Sequence, residues 1–121
     1  MKDNSLHPEI KLTFAGSERF FGPGTVMLLK EIEETGNVRE ACAKCGFSYS
    51  KGWSIIRKSE QMLGCKIVER QVGGRAGGSA KVTVKGRALM DAYRELADDL
   101  SRMAETRFVE LIDKYMLADE E

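Results

Sequence analysis

The 121-residue chain has a single histidine, a single tryptophan and only three cysteines. It also has no apolar run long enough to span a membrane. His7 has no candidate nucleophile near it, and no catalytic constellation emerges anywhere, so the chain is not expected to be an enzyme and no catalytic residue is assigned. The N-terminal stretch MKDNSLHPEI lacks the apolar core of a signal peptide. Together these absences predict a cytoplasmic protein. An odd number of cysteines, Cys42, Cys45 and Cys65, fits a reducing compartment better than a disulfide framework. Cys42 and Cys45 do form a CxxC, but a structural zinc site needs four ligands, and only Cys65 and His7 remain to complete one. No metal and no cofactor are expected; the pair reads as small buried residues at helical spacing. A Walker pattern and GxGxxG are missing too. The glycine pairs of VERQVGGRAGGSAKVTVKG lead into a strand, where a phosphate loop would open a helix, which excludes a nucleotide site of those types.

What is present is a strong charge asymmetry. The formal net charge is zero, yet from Lys44 to Arg87 there are ten Lys or Arg against two acids, Glu60 and Glu69, a segment charge of +8 that leaves −8 for the rest. A basic centre between acidic ends suggests a local surface for an anionic polymer. The alternative is an ordinary solvated charged face. The length suits one compact domain plus one extended element.

Along the chain, Ile10, Leu12 and Phe14 alternate with polar neighbours, the period of a half-buried N-terminal strand. Leu28, Leu29 and Ile32 fall on one face of a helix that should end at Gly36. Asn37 can cap the next helix, with Glu40 completing a capping box, and Val38, Ala41, Cys42 and Cys45 form its apolar stripe. Gly46 suits a left-handed turn, Phe47 can bury against the pair, and Ser48 can cap a third helix running to about Leu63. Two helices joined so tightly, with a small residue four before the turn glycine, are the signature of a helix-turn-helix. The second helix, SYSKGWSIIRKSEQML, is polar and basic at its start and carries the apolar stripe Gly52, Ile56 and Leu63. A recognition helix needs that arrangement, because hydroxyls and cations must reach base edges where other helices prefer acids.

KIVER and AKVTV then read as two strands flanking the glycine loop, a hairpin in the position of the wing of a winged helix. Its glycines, Gly74 and Gly77 among them, allow close approach to phosphates, and Arg70, Arg75 and Lys81 supply charge. From Gly86 to about Met116 the pattern is helical, with Leu89, Tyr93, Leu96, Leu100 and Met103 at alternating spacings of four and three. Such a seam wants a partner helix. The pattern shifts at Arg107 and resumes at Phe108, so these six apolar residues form the candidate dimer interface, with the N-terminal strand assisting. Packing against its own domain is the alternative.

The stretches LLKEIEETGNVREACAKCGFSYSKGWSIIRKSEQMLG and VERQVGGRAGGSAKVTVKGRALMDAY resemble the DNA-binding half of the ModE-type molybdate-responsive transcription regulators, which are close to the LysR-type winged helices. The resemblance covers about residues 9 to 104. It is most specific in GFSYSKGW, in the wing glycines Gly73, Gly74, Gly77 and Gly78, and in Thr83 followed by Gly86. It implies that Ser48, Tyr49, Ser50, Lys51, Ser54 and Arg57 match the part of the recognition helix that meets DNA, and that the long helix matches a dimerisation element. Lys58 completes the candidate DNA-binding set. Family members carry small β-barrel modules after this region that bind molybdate or tungstate. The 121 residues contain no counterpart, so no oxyanion ligand is expected on this chain. Trp53 lies between the polar and apolar faces of its helix and is expected to pack against the wing or first helix; stacking near DNA is the other option.

The sequence therefore predicts a mainly α fold with a small β-hairpin. Residues 1–8 are a flexible N-terminus, 9–85 a winged helix-turn-helix, 86–117 a long dimerisation helix and 118–121 an acidic tail. The expected function is that of a homodimeric regulator of transcription that binds double-stranded DNA by sequence and is linked to molybdenum transport genes. The alternative function is a winged-helix interaction module that binds a partner protein through its long acidic helix.

Overall fold

The computed structural model describes residues 6–71 and 79–117. Its elements run β1 (Phe14–Ala15), β2 (Arg19–Phe21), α1 (Pro23–Thr35), α2 (Val38–Cys45), α3 (Tyr49–Leu63), β3 (Val68–Arg70), β4 (Ala80–Val82) and α4 (Val84–Ile112), followed by a π-helical turn at Asp113–Leu117. The chain divides into two units, Leu12–Ala92 and Met1–Lys11 with Tyr93–Glu121. No helix among the described residues is long and apolar enough to cross a membrane.

Each helix of the first unit starts and stops on local chemistry. Pro23 occupies the first turn of α1, where its missing N–H costs nothing. Asn37 Oδ1 accepts the Glu40 N–H at 2.9 Å to cap α2. The Asn37 N–H donates to Thr35 Oγ1, so Thr35 supplies the reciprocal half of the expected capping box. Ser48 Oγ caps α3 by accepting the Lys51 N–H. At Gly46 the backbone is left-handed, with φ 80°, and the Phe47 N–H returns to the Cys42 carbonyl at 2.9 Å. That bond fixes the sharp exit of α2 toward α3.

Phe21, Leu28, Leu29, Ile32, Val38, Ala41, Cys42, Ile56, Ile67, Val68, Ala80 and Met90 form the core of this unit. Where α2 crosses α3, Gly52 lies against Cys42, and a Cβ built on Gly52 would overlap Cys42 Sγ. The small residue in α2 and the absent side chain in α3 are thus one packing solution. The expected stripe on α3 needs one correction. Leu63 is 40% exposed, and the buried face is Gly52, Trp53, Ile56 and Ser59. Ser59 tolerates burial because its hydroxyl donates to the Phe20 carbonyl at 2.9 Å, which also ties α3 to β2.

The N-terminal strand is shorter and later than its alternation suggested. Only Phe14 and Ala15 pair, with Phe21 and Arg19, and Ile10 is exposed. β3 and β4 form the expected antiparallel hairpin in the register Val68↔Val82, Glu69↔Lys81 and Arg70↔Ala80. The Ala80 N–H also donates to the Gly36 carbonyl, and Asn37 bridges Ser79, so the hairpin is anchored to the α1–α2 junction. AKVTV does not stay extended to its end. Thr83 Oγ1 accepts the Gly86 N–H and donates to the Lys66 carbonyl, turning the chain into α4 at Val84. Gly86 must be bare, since a Cβ there would meet the Ile67 carbonyl oxygen. The spacing of Thr83 and Gly86 is therefore the hinge between wing and helix.

α4 has 29 residues, about 43 Å at the helical rise. Of the expected seam, Tyr93 is buried, Leu89, Leu100 and Phe108 are half-buried, and Leu96 and Met103 are 42% and 64% exposed. Val109, Tyr115, Met116 and Leu117 are also exposed. The ion pairs Asp99–Arg102 and Arg107–Glu110 decorate the polar faces. Exposed pairs of this kind stabilise little.

Candidate nucleic-acid interface

The tight α2–α3 turn decides which side of α3 is free. With Gly52, Ile56 and Ser59 turned inward, Ser50, Lys51, Ser54, Arg57 and Lys58 are exposed. Their spacing places Ser50, Lys51, Ser54 and Arg57 on one face. The first turn of α3 contains no acid. Among the described residues no carboxylate pairs with Lys51, Arg57, Lys66 or Arg70, whereas Lys58 Nζ is 3.1 Å from Glu18 Oε1 and Arg87 pairs with Glu33. Lys58 is thus directed to the β1–β2 turn, away from the other cations of α3. Ser48 faces solvent at the helix start, but its oxygen is engaged in the cap.

Tyr49 is half-buried, and the Arg39 guanidinium of α2 lies over its ring, 4.0 Å from the centroid. This contact orients the aromatic ring at the start of α3. The sequence reading missed Arg39, because the contact joins two helices. Trp53 packs as expected, with 7% of its surface exposed. Arg70 of β3 lies 4.3 Å from its ring centroid and Arg57 lies 5.7 Å away. Its indole Nε1–H is buried and has no acceptor among the described residues. A single oxygen of Glu60, Oε2, accepts the N–H groups of both Ile67 and Val68 at 2.9 and 3.2 Å, which fastens the start of β3 to α3. Between these elements lies an open cleft of about 460 Å³ lined by Trp53, Arg57, Gln61, Cys65, Lys66 and Arg70, with Glu60 and Gly64.

Lys81 is exposed on β4 opposite Glu69. Gly74, Arg75 and Gly77, with the other wing glycines, lie outside the described residues. Burial pushes the Cys42 thiol upward, partly offset by Arg39, and burial together with Glu31 and Cys42 pushes Cys45 upward. Such thiols are poor thiolate donors at neutral pH. Among the described residues no three of His, Cys, Asp and Glu converge on a point that could hold a metal ion.

No family profile matches the chain. The transcriptional regulator ModE of Yersinia pestis is 34% identical over 93 residues, covering 76% of this chain and 35% of that protein. The DNA-binding transcriptional dual regulator ModE of Escherichia coli strain K12 is 33% identical over 93 residues, covering 76% of this chain and 36% of that protein. The chain thus spans little more than a third of the length of these curated relatives. The crystal structure of a CbnR_DBD–DNA complex superposes with a TM-score of 0.55 at 17% identity, covering 72% of this chain and 94% of that one. That likeness shows a shared winged helix-turn-helix fold.

Proposed function

We propose that over its matched residues the chain is a ModE-type transcriptional regulator, that it binds duplex DNA by sequence and that it regulates transcription, serving genes of molybdenum transport. In this reading α3 enters the major groove. Ser50, Lys51, Ser54 and Tyr49 read base edges, and the wing at 71–79 lies along the sugar–phosphate backbone. The observation that carries it is the exposed face of α3, which has hydroxyls and unpaired cations and no acid in its first turn. A helix that only had to face water would gain from acids there.

Two copies associate through α4. Leu96 and Met103 are exposed in the single chain despite their apolar character, and a second copy that covers them removes that surface from water. A two-fold pair of recognition helices demands an inverted-repeat site, with half-sites about one or two helical turns apart. Selection of bound duplexes from a random pool tests both statements together: the expected outcome is an inverted repeat. Binding whose logarithm falls by about 0.9 per neutralised phosphate against log salt marks a DNA interface. An unenriched pool would defeat the proposal.

A further inference from the structure

We propose that the cleft between α3 and β3 is the seat of one sugar–phosphate unit of the bound DNA, held jointly by Arg57, Lys66 and Arg70 and completed by the Trp53 indole. The proposal rests on the DNA-binding reading and deepens it, because it assigns these three cations to a single phosphate group at the root of the wing.

Four observations converge on the cleft. Its walls come from α3, from the Gly64–Lys66 turn and from β3, the elements that join the recognition helix to the wing, and it opens to solvent. Three cations line it, and none has a carboxylate partner among the described residues. The one acid in its wall, Glu60, is already occupied, since its Oε2 accepts two backbone N–H groups. Finally, the Trp53 Nε1–H is a buried donor without an acceptor among the described residues. Buried donors are nearly always satisfied, and an anion drawn in by the surrounding charge brings the missing oxygen.

The indole also does a second thing. Its ring gathers the guanidinium groups of Arg57 and Arg70 from two different elements, at 5.7 and 4.3 Å. Two long side chains are thereby partly ordered before DNA arrives, which lowers the entropy lost on binding. Guanidinium groups suit a phosphate because their planar donors meet two of its oxygens at once. Arg57 and Arg70 thus belong to backbone positioning, and base readout falls to the residues nearer the start of α3.

Counting phosphates tests this. Arg57→Gln, Lys66→Gln and Arg70→Gln are made singly and together, and duplex affinity is followed by fluorescence anisotropy across a salt series, with thermal melting as the check on folding. If the three share one phosphate, each single variant keeps most of the slope of log K on log salt and the triple variant lowers it by about 0.9. Independent contacts to three phosphates would lower it by about 2.7. That result, or an unchanged slope in the triple variant, overturns the proposal. Trp53→Phe keeps an aromatic face and removes the N–H, so affinity should fall several-fold with the slope retained; an unaltered affinity refutes the part given to the indole.

If the wild type binds no duplex at all, the proposed function fails by itself, and inorganic phosphate then decides the cleft. Trp53 is the only tryptophan, so its fluorescence reports on the site directly. A change specific to phosphate, measured against chloride of equal ionic strength and lost in the triple variant, supports an anion seat; no such change removes it. A phosphate-specific change that leaves duplex affinity untouched assigns the cleft to a free anion and overturns the backbone assignment.

Discussion

Adding one methyl group at the helix crossing should unsettle the whole reading head, and removing one sulfur should restore it. In Gly52→Ala the new Cβ falls on Cys42 Sγ, while its next neighbours, Cys42 Cβ and Leu28 Cδ2, stand at 3.7 and 3.8 Å, in ordinary contact. Cys42 is 1% exposed and lies within a helix, where one of the three χ1 rotamers is blocked by the preceding turn, so the sulfur has little room to retreat. Overpacking costs about 1–3 kcal/mol, and replacing a mid-helix glycine by alanine returns about 1 kcal/mol. The single variant should therefore lose about 1 kcal/mol of stability by these principles. Cys42→Ala alone should lose a similar amount, about 1 kcal/mol for a buried group the size of a methylene. The double variant removes the clash, keeps the gain in helix propensity and fills part of the space left by sulfur, so it should return close to wild type. The coupling between the two sites is then favourable by about 2 kcal/mol. Urea unfolding of the four proteins measures it, and duplex affinity should fall and recover in the same order because the crossing aims α3. Additive losses, or a stable Gly52→Ala with Cys42 in place, would show that this contact does not set the helix pair.

Ser50→Ala and Tyr49→Ala should alter the preferred bases in a selection experiment, whereas Lys81→Gln should weaken all duplexes by a similar factor; a shift in preferred bases with Lys81→Gln would contradict the division between helix and hairpin. Leu96→Glu should put a charge into the covered surface of the pair at a cost of several kcal/mol, giving folded monomers by sedimentation; a dimer that survives unchanged would show that α4 has another job. Thr83→Val loses the cap of α4 and the bond to Lys66. It should lower stability by about 1–2 kcal/mol, with a melting temperature indistinguishable from wild type as the contrary result.

Much of the first unit was legible because its signals are local. Asn37 and Ser48 act as caps within three residues of themselves, and the glycine that ends α2 does so one residue after the last helical position. The antiparallel hairpin was equally visible, since its strands flank a glycine-rich connection. What escaped depends on partners far along the chain. Alternation from Ile10 to Phe14 cannot say that only the last of these residues finds a strand, because β2 had to be known first. The apolar stripe of α3 took in Leu63, which is exposed, and passed over Ser59, which is buried. The Phe20 carbonyl, 39 residues away, is what lets Ser59 be buried and is invisible in any periodic pattern. Arg39 over Tyr49 and Arg70 over Trp53 are likewise contacts between elements. The spacing of Trp53 and Arg57, four residues apart on one helix, was the one such signal available.

The grip of Glu60 on the Ile67 and Val68 amides bears on how such a domain can be recoded. On the proposed reading, changes confined to Ser50, Lys51 and Ser54 alter the base-contacting face of α3 and leave that grip intact. Transplanting a whole foreign recognition helix is different. A donor segment without a carboxylate at position 60 strands two amide donors at the foot of the hairpin, each at a cost of about 1–3 kcal/mol if it stays dry. The graft would then spell a new preference on a loosened frame, so altered specificity travels safely as a set of surface letters and poorly as a whole word.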